Sequence, residues 1–138
     1  MSNSAEAIAQ AFIRAINRQD VESLAGLMTE DHKFTDALDN SLAGREAMRA
    51  AWAGYFRMVP DYTVAVEETL CDGPVVVLLG TAQGTYSADG KLSPENRWKT
   101  PIALRAFVEG DEVSEWRVYA DNEPMRRLMA KSSPSSSA

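Results

Sequence analysis

Few side chains in this 138-residue sequence carry chemistry of their own, and their types narrow what that chemistry can be. His32 is the only histidine and Cys71 the only cysteine. A metal site built on paired histidines is therefore excluded, as are a cysteine-rich centre and an internal disulfide. Gly80, Gly84 and Gly90 stand in strand and turn patterns with no helix start behind them, so they do not make a phosphate-binding loop. Acid/base work is left to carboxylates, with neither a metal nor an organic cofactor expected. Asp36 and Asp121 each close a strand-like stretch. Each also has a purely structural reading: Asp36 as the cap of the polar turn before Gly44, Asp121 as the N-cap of a closing helix, a position aspartate favours.

Apolar residues make up 45% and charged residues 25% of the sequence, the balance of a globular domain that buries one core. The net charge is −6, and Lys and Arg are scattered rather than clustered. A basic face that could release counterions from nucleic acid is missing, and the acidic balance disfavours anionic membranes. No stretch approaches the roughly 18 consecutive apolar residues of a membrane span. Met1 to Glu6 has neither a basic segment nor an apolar core of the secretory kind. With one unpaired cysteine, a reducing, cytoplasmic location is the expectation.

The elements that must position these groups follow from periodicity. Ser4 can cap a first helix in which Ile8, Phe12 and Ile16 recur every four residues with Ile13 beside them, up to an interruption at Asn17–Asp20. Asp20 caps a second short helix presenting Leu24, Leu27 and Met28. His32 to Asp36 reads as a short strand, and Asp39 to Gly44 as a polar loop. Met48, Ala51, Trp52, Tyr55 and Phe56 share one face of a third helix that Pro60 ends. The period then drops to two at Tyr62, Val64 and Val66. Asp72-Gly73 signals a hairpin into a strand from Val75 to Tyr86. Ala88–Lys91 turns again, Arg97–Val108 is a long strand, and Gly110-Asp111 leads into a last strand, Val113–Ala120. Met125, Leu128 and Met129 mark a closing helix. Helices early and a four-stranded antiparallel meander late give an α+β domain over 1–131, with a Ser-rich tail at 132–138 read as disordered.

The long strand carries apolar residues on both faces, with Trp98, Ile102, Leu104 and Ala106 at even positions and Pro101, Ala103 and Phe107 at odd ones. Helices can cover one face only. Pairing of two copies through the outer face would bury the rest at about 1.5–3 kcal/mol per side chain, so a homodimer is expected, against the alternative of a fringe of exposed apolar residues.

Order and motifs together resemble the nuclear-transport-factor-2-like, SnoaL-like superfamily, to which ketosteroid isomerases and polyketide cyclases belong. Phe12 to Asp20 resembles the family's first helix and following turn. His32-Lys33-Phe34-Thr35-Asp36 and Gly44-Arg45-Glu46-Ala47-Met48 resemble its first strand and next helix, and Glu115 to Asp121 its last strand. The resemblance covers Ala7 to Met129. It implies a cone in which N-terminal helices pack on a strongly curved, mostly antiparallel sheet of the cystatin-like kind, with the ligand inside.

On that resemblance Asp36 stands where ketosteroid isomerases place their general base, and an apolar surrounding would tune such a carboxylate for proton transfer. The oxyanion-binding tyrosine and aspartate of those isomerases fall on Phe12 and Ala103, neither of which donates a hydrogen bond, which argues against that activity. The last-strand aspartate of limonene epoxide hydrolases falls on Val118, and the strand with Thr81 and Gln83 lacks their Arg-x-Asp, which argues against epoxide opening. A cyclase needs little beyond a shaped cavity and one acid or base, for which Asp121 is a second candidate. Trp52, Phe56, Trp116 and Val118 are expected along the cavity wall. His32 would orient Asp36 or titrate near the mouth, or be a half-exposed strand residue. Arg105 shares parity with Ala103, so a regular strand would aim it inward toward Asp36, Asp121 or a substrate carboxylate; a bulge turning it to solvent is the alternative. The expected function is cofactor-free isomerase-, cyclase- or hydratase-type chemistry on an apolar metabolite, with a non-catalytic ligand-binding or dimerisation module as the alternative.

Overall fold

The computed structural model describes residues 4–121 and 123–131; the expected disordered tail at 132–138 lies outside them. Helix α1 spans Ala5–Arg18 and α2 Val21–Gly26, followed by strands β1 (Met28–Thr35) and β2 (Ser41–Ala43). Helix α3 spans Arg45–Met58 and leads into β3 (Thr63–Asp72), β4 (Val75–Thr85), β5 (Arg97–Glu109) and β6 (Glu112–Ala120), with α4 at Glu123–Lys131. The six strands form one sheet in the order β2-β1-β6-β5-β4-β3. The expected meander is β3 to β6; β1 extends it by pairing parallel to β6, and β2 pairs antiparallel with β1.

Local chemistry sets the element ends. The Ser4 side chain accepts from the Ala7 amide, and Asp20 caps α2 by accepting from the Ser23 amide at 3.1 Å and its hydroxyl at 2.6 Å. The first helix is not interrupted at Asn17: it runs to Arg18, and Gln19 ends it at φ 56° in the left-handed region. Two further differences arise where side-chain period is a poor guide. Met28 belongs to β1 rather than to the second helix, and the polar loop after Asp36 contains β2, whose three residues are all exposed. An exposed edge strand has no apolar alternation to betray it.

The core lies between the concave sheet face and helices α1 and α3. On β5 every even residue from Trp98 to Val108 is buried, and all of these but Thr100 join Ile8, Phe12 and Ile16 of α1 and Met48, Trp52 and Phe56 of α3 in one cluster. Register shifts at Val66/Glu68, Phe107/Val108 and Met28/Lys33 interrupt the ladders and bend the sheet round this core. The outer face carries Val77, Leu79, Ala103 and Phe107 among charged residues. Arg105 lies there, its guanidinium 2.9 Å from Glu115, and Arg117 reaches Asp39 at 3.0 Å. Of the two readings of Arg105 the solvent-facing one holds, though no bulge at that residue is needed: the odd positions of β5 are the outer ones, and the cation keeps solvent and a partner.

The free edge of β3 is held by α1. Asn17 Nδ2 donates to the Val64 carbonyl at 2.9 Å, and the Val64 amide donates to Asn17 Oδ1 at 2.8 Å. Val64 is buried, so truncating Asn17 strands both backbone groups. Asn17→Ala is expected to lose about 1–3 kcal/mol in urea unfolding, with the m-value unchanged.

Candidate functional site

One end of this core is open. A cavity of about 560 Å³ enters between α3, α4 and the concave sheet, within the range of small-molecule sites. Its floor is Ile102 and Leu104 of β5 with Trp116 and Val118 of β6; Ile16 and Met48 close its inner end. Trp98, Tyr62 and Val64 wall it at the β3 side, and Phe34 and Asp36 at the β1 side. The lips are Leu38 and Leu42 from the β1–β2 turn and Met125 and Met129 from α4. Leu38, Leu42 and Met129 are exposed and give the mouth an apolar rim. All three tryptophans of the chain line this space.

An aromatic belt lines one side. Phe34 meets Trp52 edge-on at 6.2 Å, Trp52 meets Tyr55 at 6.1 Å, Tyr55 meets Tyr62 at 5.0 Å, and Tyr62 lies 6.0 Å from Trp98. These spacings are those of favourable ring pairs. The Tyr55 hydroxyl donates to Met125 Sδ at 3.9 Å, tying α4 to α3 beside the mouth. Burial raises the pKa of both tyrosines, with Tyr62 adding to the rise at Tyr55, so both remain protonated donors.

Tyr62 is anchored through its neighbours. Asp61 accepts from both the amide and the hydroxyl of Thr85, each at 2.7 Å, clamping the start of β3 onto the end of β4. Gly84 makes the approach possible: a Cβ there would meet Val59 Cγ1 and stand 3.4 Å from the Tyr62 α-carbon.

The expected site residues fall into three groups. Asp36, Trp52, Trp116 and Val118 stand on the cavity wall. Asp36 is half-buried at the mouth, not sunk in an apolar wall. Its Oδ1 accepts from the amides of Leu38 and Asn40, each at 2.9 Å, while Oδ2 has only Asn40 Nδ2 at 3.4 Å. It is the only carboxylate among the lining residues, and Arg126 the only cation.

Phe12, Phe56 and His32 are buried in the core but do not line the cavity. Phe12 stacks against Trp116 at 4.3 Å, on the side away from the open space. The half-exposed position considered for His32 is corrected: the residue is fully buried, beside Phe12. His32 Nδ1 donates to the Val113 carbonyl at 2.7 Å, and Nε2 has no partner. Its pKa is lowered, chiefly by burial; the Val113 carbonyl, Asp31 and Glu115 offset this only in part.

The sign of the consequence follows. The unfolded chain takes up a proton below about pH 6.5 that the folded chain refuses, so stability is full above that pH and falls as pH drops, by up to about 1.4 kcal/mol per unit. Urea midpoints between pH 7.5 and 5.5 are expected to show this loss, and His32→Gln to flatten it; an equal slope in both proteins would refute the assignment.

Ala103 and Asp121 form the third group, away from the cavity. Ala103 pairs with Leu79 and Tyr119 on the outer face, because the even positions of β5 point inward. Asp121 is exposed, and its Oδ1 accepts from the amide of Glu123, the first residue of α4, at 2.9 Å. The residues that sequence reasoning left out are Tyr55, Tyr62, Trp98, Ile102 and Leu104. For Trp98, Ile102 and Leu104 the signal was present in the charge pattern of β5: Arg97, Lys99, Arg105 and Glu109 are all odd, and no even position is charged.

The model of the SnoaL-like domain matches residues 9–127. The chain belongs to this family. A search of curated proteins gives no match. Among solved structures, a candidate SnoaL-like polyketide cyclase from Shewanella denitrificans OS-217 superposes with a TM-score of 0.79 at 18% identity, over 92% of this chain and 97% of that one. IdmH, a candidate polyketide cyclase from Streptomyces antibioticus, gives 0.76 at 19% identity over 92% and 99%. A protein of ketosteroid-isomerase-like fold from Catenulispora acidiphila, in complex with trimethylamine, gives 0.71 at 20% identity over 81% and 83%. At these identities the likeness is one of fold. It establishes the nuclear-transport-factor-2-like α+β architecture that the motifs resemble. This SnoaL-like chain has no helix, among the described residues, long and apolar enough to cross a membrane, and no cluster of His, Cys, Asp and Glu that could hold a metal ion.

Proposed function

We propose that this SnoaL-like protein binds a neutral, largely apolar carbonyl compound in the cavity and moves a proton on it with Asp36, without a cofactor. One observation carries the reading: the single carboxylate on the cavity wall has one oxygen fixed by two backbone amides and the other nearly free. A fixed carboxylate with one available oxygen is the geometry a general base needs. Ile102 and Leu104, the inward residues that flank Ala103, donate no hydrogen bond to a developing oxyanion, so a substrate that already stabilises charge, as in cyclisation of a polyketide, suits the site best. The polyketide cyclases among the fold relatives are consistent with that class.

A second reading has its own support. The same two amide bonds make Asp36 a complete turn cap, which a pure binding protein would also need. Melting wild type against ketones, quinones and enones tests the binding half, since a ligand that binds the folded state raises the melting temperature. The stabilising compound is then the substrate for the turnover assay. If no carbonyl compound shifts the melt, the proposal fails.

A further inference from the structure

Proton chemistry at the mouth leaves unexplained why the opposite side of the cavity carries hydrogen-bond donors without acceptors. Tyr62 lines the cavity, and its hydroxyl has no hydrogen-bond partner among the described residues. In the same wall, Nε1 of Trp52 and of Trp98 is buried without an acceptor. Thr100 has spent its hydroxyl on the Asp121 carbonyl at 3.1 Å, and Tyr55 on the Met125 sulfur. The two indole groups are sealed beneath the surface, so the Tyr62 hydroxyl is the donor this wall leaves open to a ligand. An alkylammonium would find aromatic faces there but no group to relieve the donors, whereas a ligand oxygen relieves one directly.

Position sharpens this. Asp36 follows β1 and Tyr62 precedes β3, and four strand spacings of about 4.8 Å separate those strands across the sheet. Curvature shortens the path through the cavity, but the two groups still stand at its opposite sides. The backbone of Tyr62 is anchored on both sides: its carbonyl takes Gln19 Nε2 at 3.4 Å, its amide donates to the Val59 carbonyl at 3.1 Å, and Asp61 is clamped to Thr85. Little conformational freedom is left to lose on binding.

We propose that Tyr62 is the specificity-determining donor of this cavity, holding an oxygen acceptor of an elongated, multi-ring neutral ligand at the β3 side while the ligand's other end reaches the mouth. The proposal rests on the cavity being a ligand site and is independent of whether Asp36 catalyses.

The test is calorimetric titration with three probes: 9-fluorenone; fluorene, which matches its shape but lacks the oxygen; and tetramethylammonium. Wild type is expected to bind fluorenone more tightly than fluorene. Tyr62→Phe should weaken fluorenone about three- to tenfold, the worth of one hydrogen bond, and leave fluorene within about twofold, which also shows the cavity intact. Tyr119→Phe, on the exposed outer face opposite Ala103, should leave both within about twofold. Equal binding of fluorenone and fluorene by wild type, or an unchanged preference in Tyr62→Phe, overturns the assignment while the cavity stands as a ligand site. An equal loss in Tyr119→Phe overturns it too. Tetramethylammonium binding in preference to both ring compounds overturns the ligand class, and no binding of any probe overturns the cavity reading with it.

Discussion

Asp36→Asn is expected to lower kcat on the stabilising ligand by about 10²–10⁴-fold, the usual contribution of a positioned acid or base. The substitution is unusually clean here. The asparagine carbonyl can take over the two amide bonds that Oδ1 accepts from Leu38 and Asn40, so the turn before β2 keeps its cap. Only the nearly free oxygen is exchanged for an amide nitrogen, which cannot accept a proton. Stability is accordingly expected to change by less than about 1 kcal/mol, and ligand affinity only modestly. Separate measurement of kcat, Kd and the melting temperature distinguishes the two readings of the residue. A large fall in kcat with the melt preserved identifies a base. Unchanged turnover reduces Asp36 to a turn residue, and a fall in melting temperature with no change in rate does the same.

Much of this architecture was legible because amphipathic period and capping chemistry agree. Ile8, Phe12 and Ile16 announced one helix face, Asp20 the next helix start, and the alternation at Tyr62, Val64 and Val66 the first meander strand. The two elements that escaped were short or carried no burial contrast: β2, with three exposed residues, and the first residues of β1, where a bulge breaks the alternation. The site was less legible for a different reason. Motif resemblance placed Ala103 in the cavity, and a strand misread by one residue exchanges every inside for an outside. The charges at 97, 99, 105 and 109 held the correction, since four ionised side chains on one parity define the solvent face. Tyr62 could not be found that way. Its alternation marks an inward side chain, but whether it meets packed core or open space depends on how far the sheet bends, which no local pattern encodes.

That bend rests on Gly80, and replacing it is expected to be the most destabilising single-methyl change in the chain. Along β4 the inward series Val76, Leu78 and Ala82 skips Gly80, whose place is taken by backbone rather than side chain. A Cβ there would land on the carbonyl oxygen of Ala65, 2.9 Å from its carbonyl carbon and 3.0 Å from the Val66 α-carbon. These are the residues at which β3 pairs with β4 just before the register slips between Val66 and Glu68. The edge strand thus folds over the sheet at a position with no side chain, and this carries Val64 and Tyr62 to the cavity wall. Because backbone, not a flexible side chain, must yield, Gly80→Ala is expected to cost about 3 kcal/mol or more, at the upper end for overpacking. For a chain of this length that is a fall of roughly 10 °C in melting temperature. Gly26→Ala is the control: a Cβ at the end of α2 meets nothing within 4 Å, and alanine there is expected to be neutral or slightly stabilising. If the two variants melt together, the bend does not depend on Gly80. If Gly80→Ala melts low, its residual folded population should also bind the cavity ligand more weakly, because the displacement that relieves the clash moves the strand holding Tyr62.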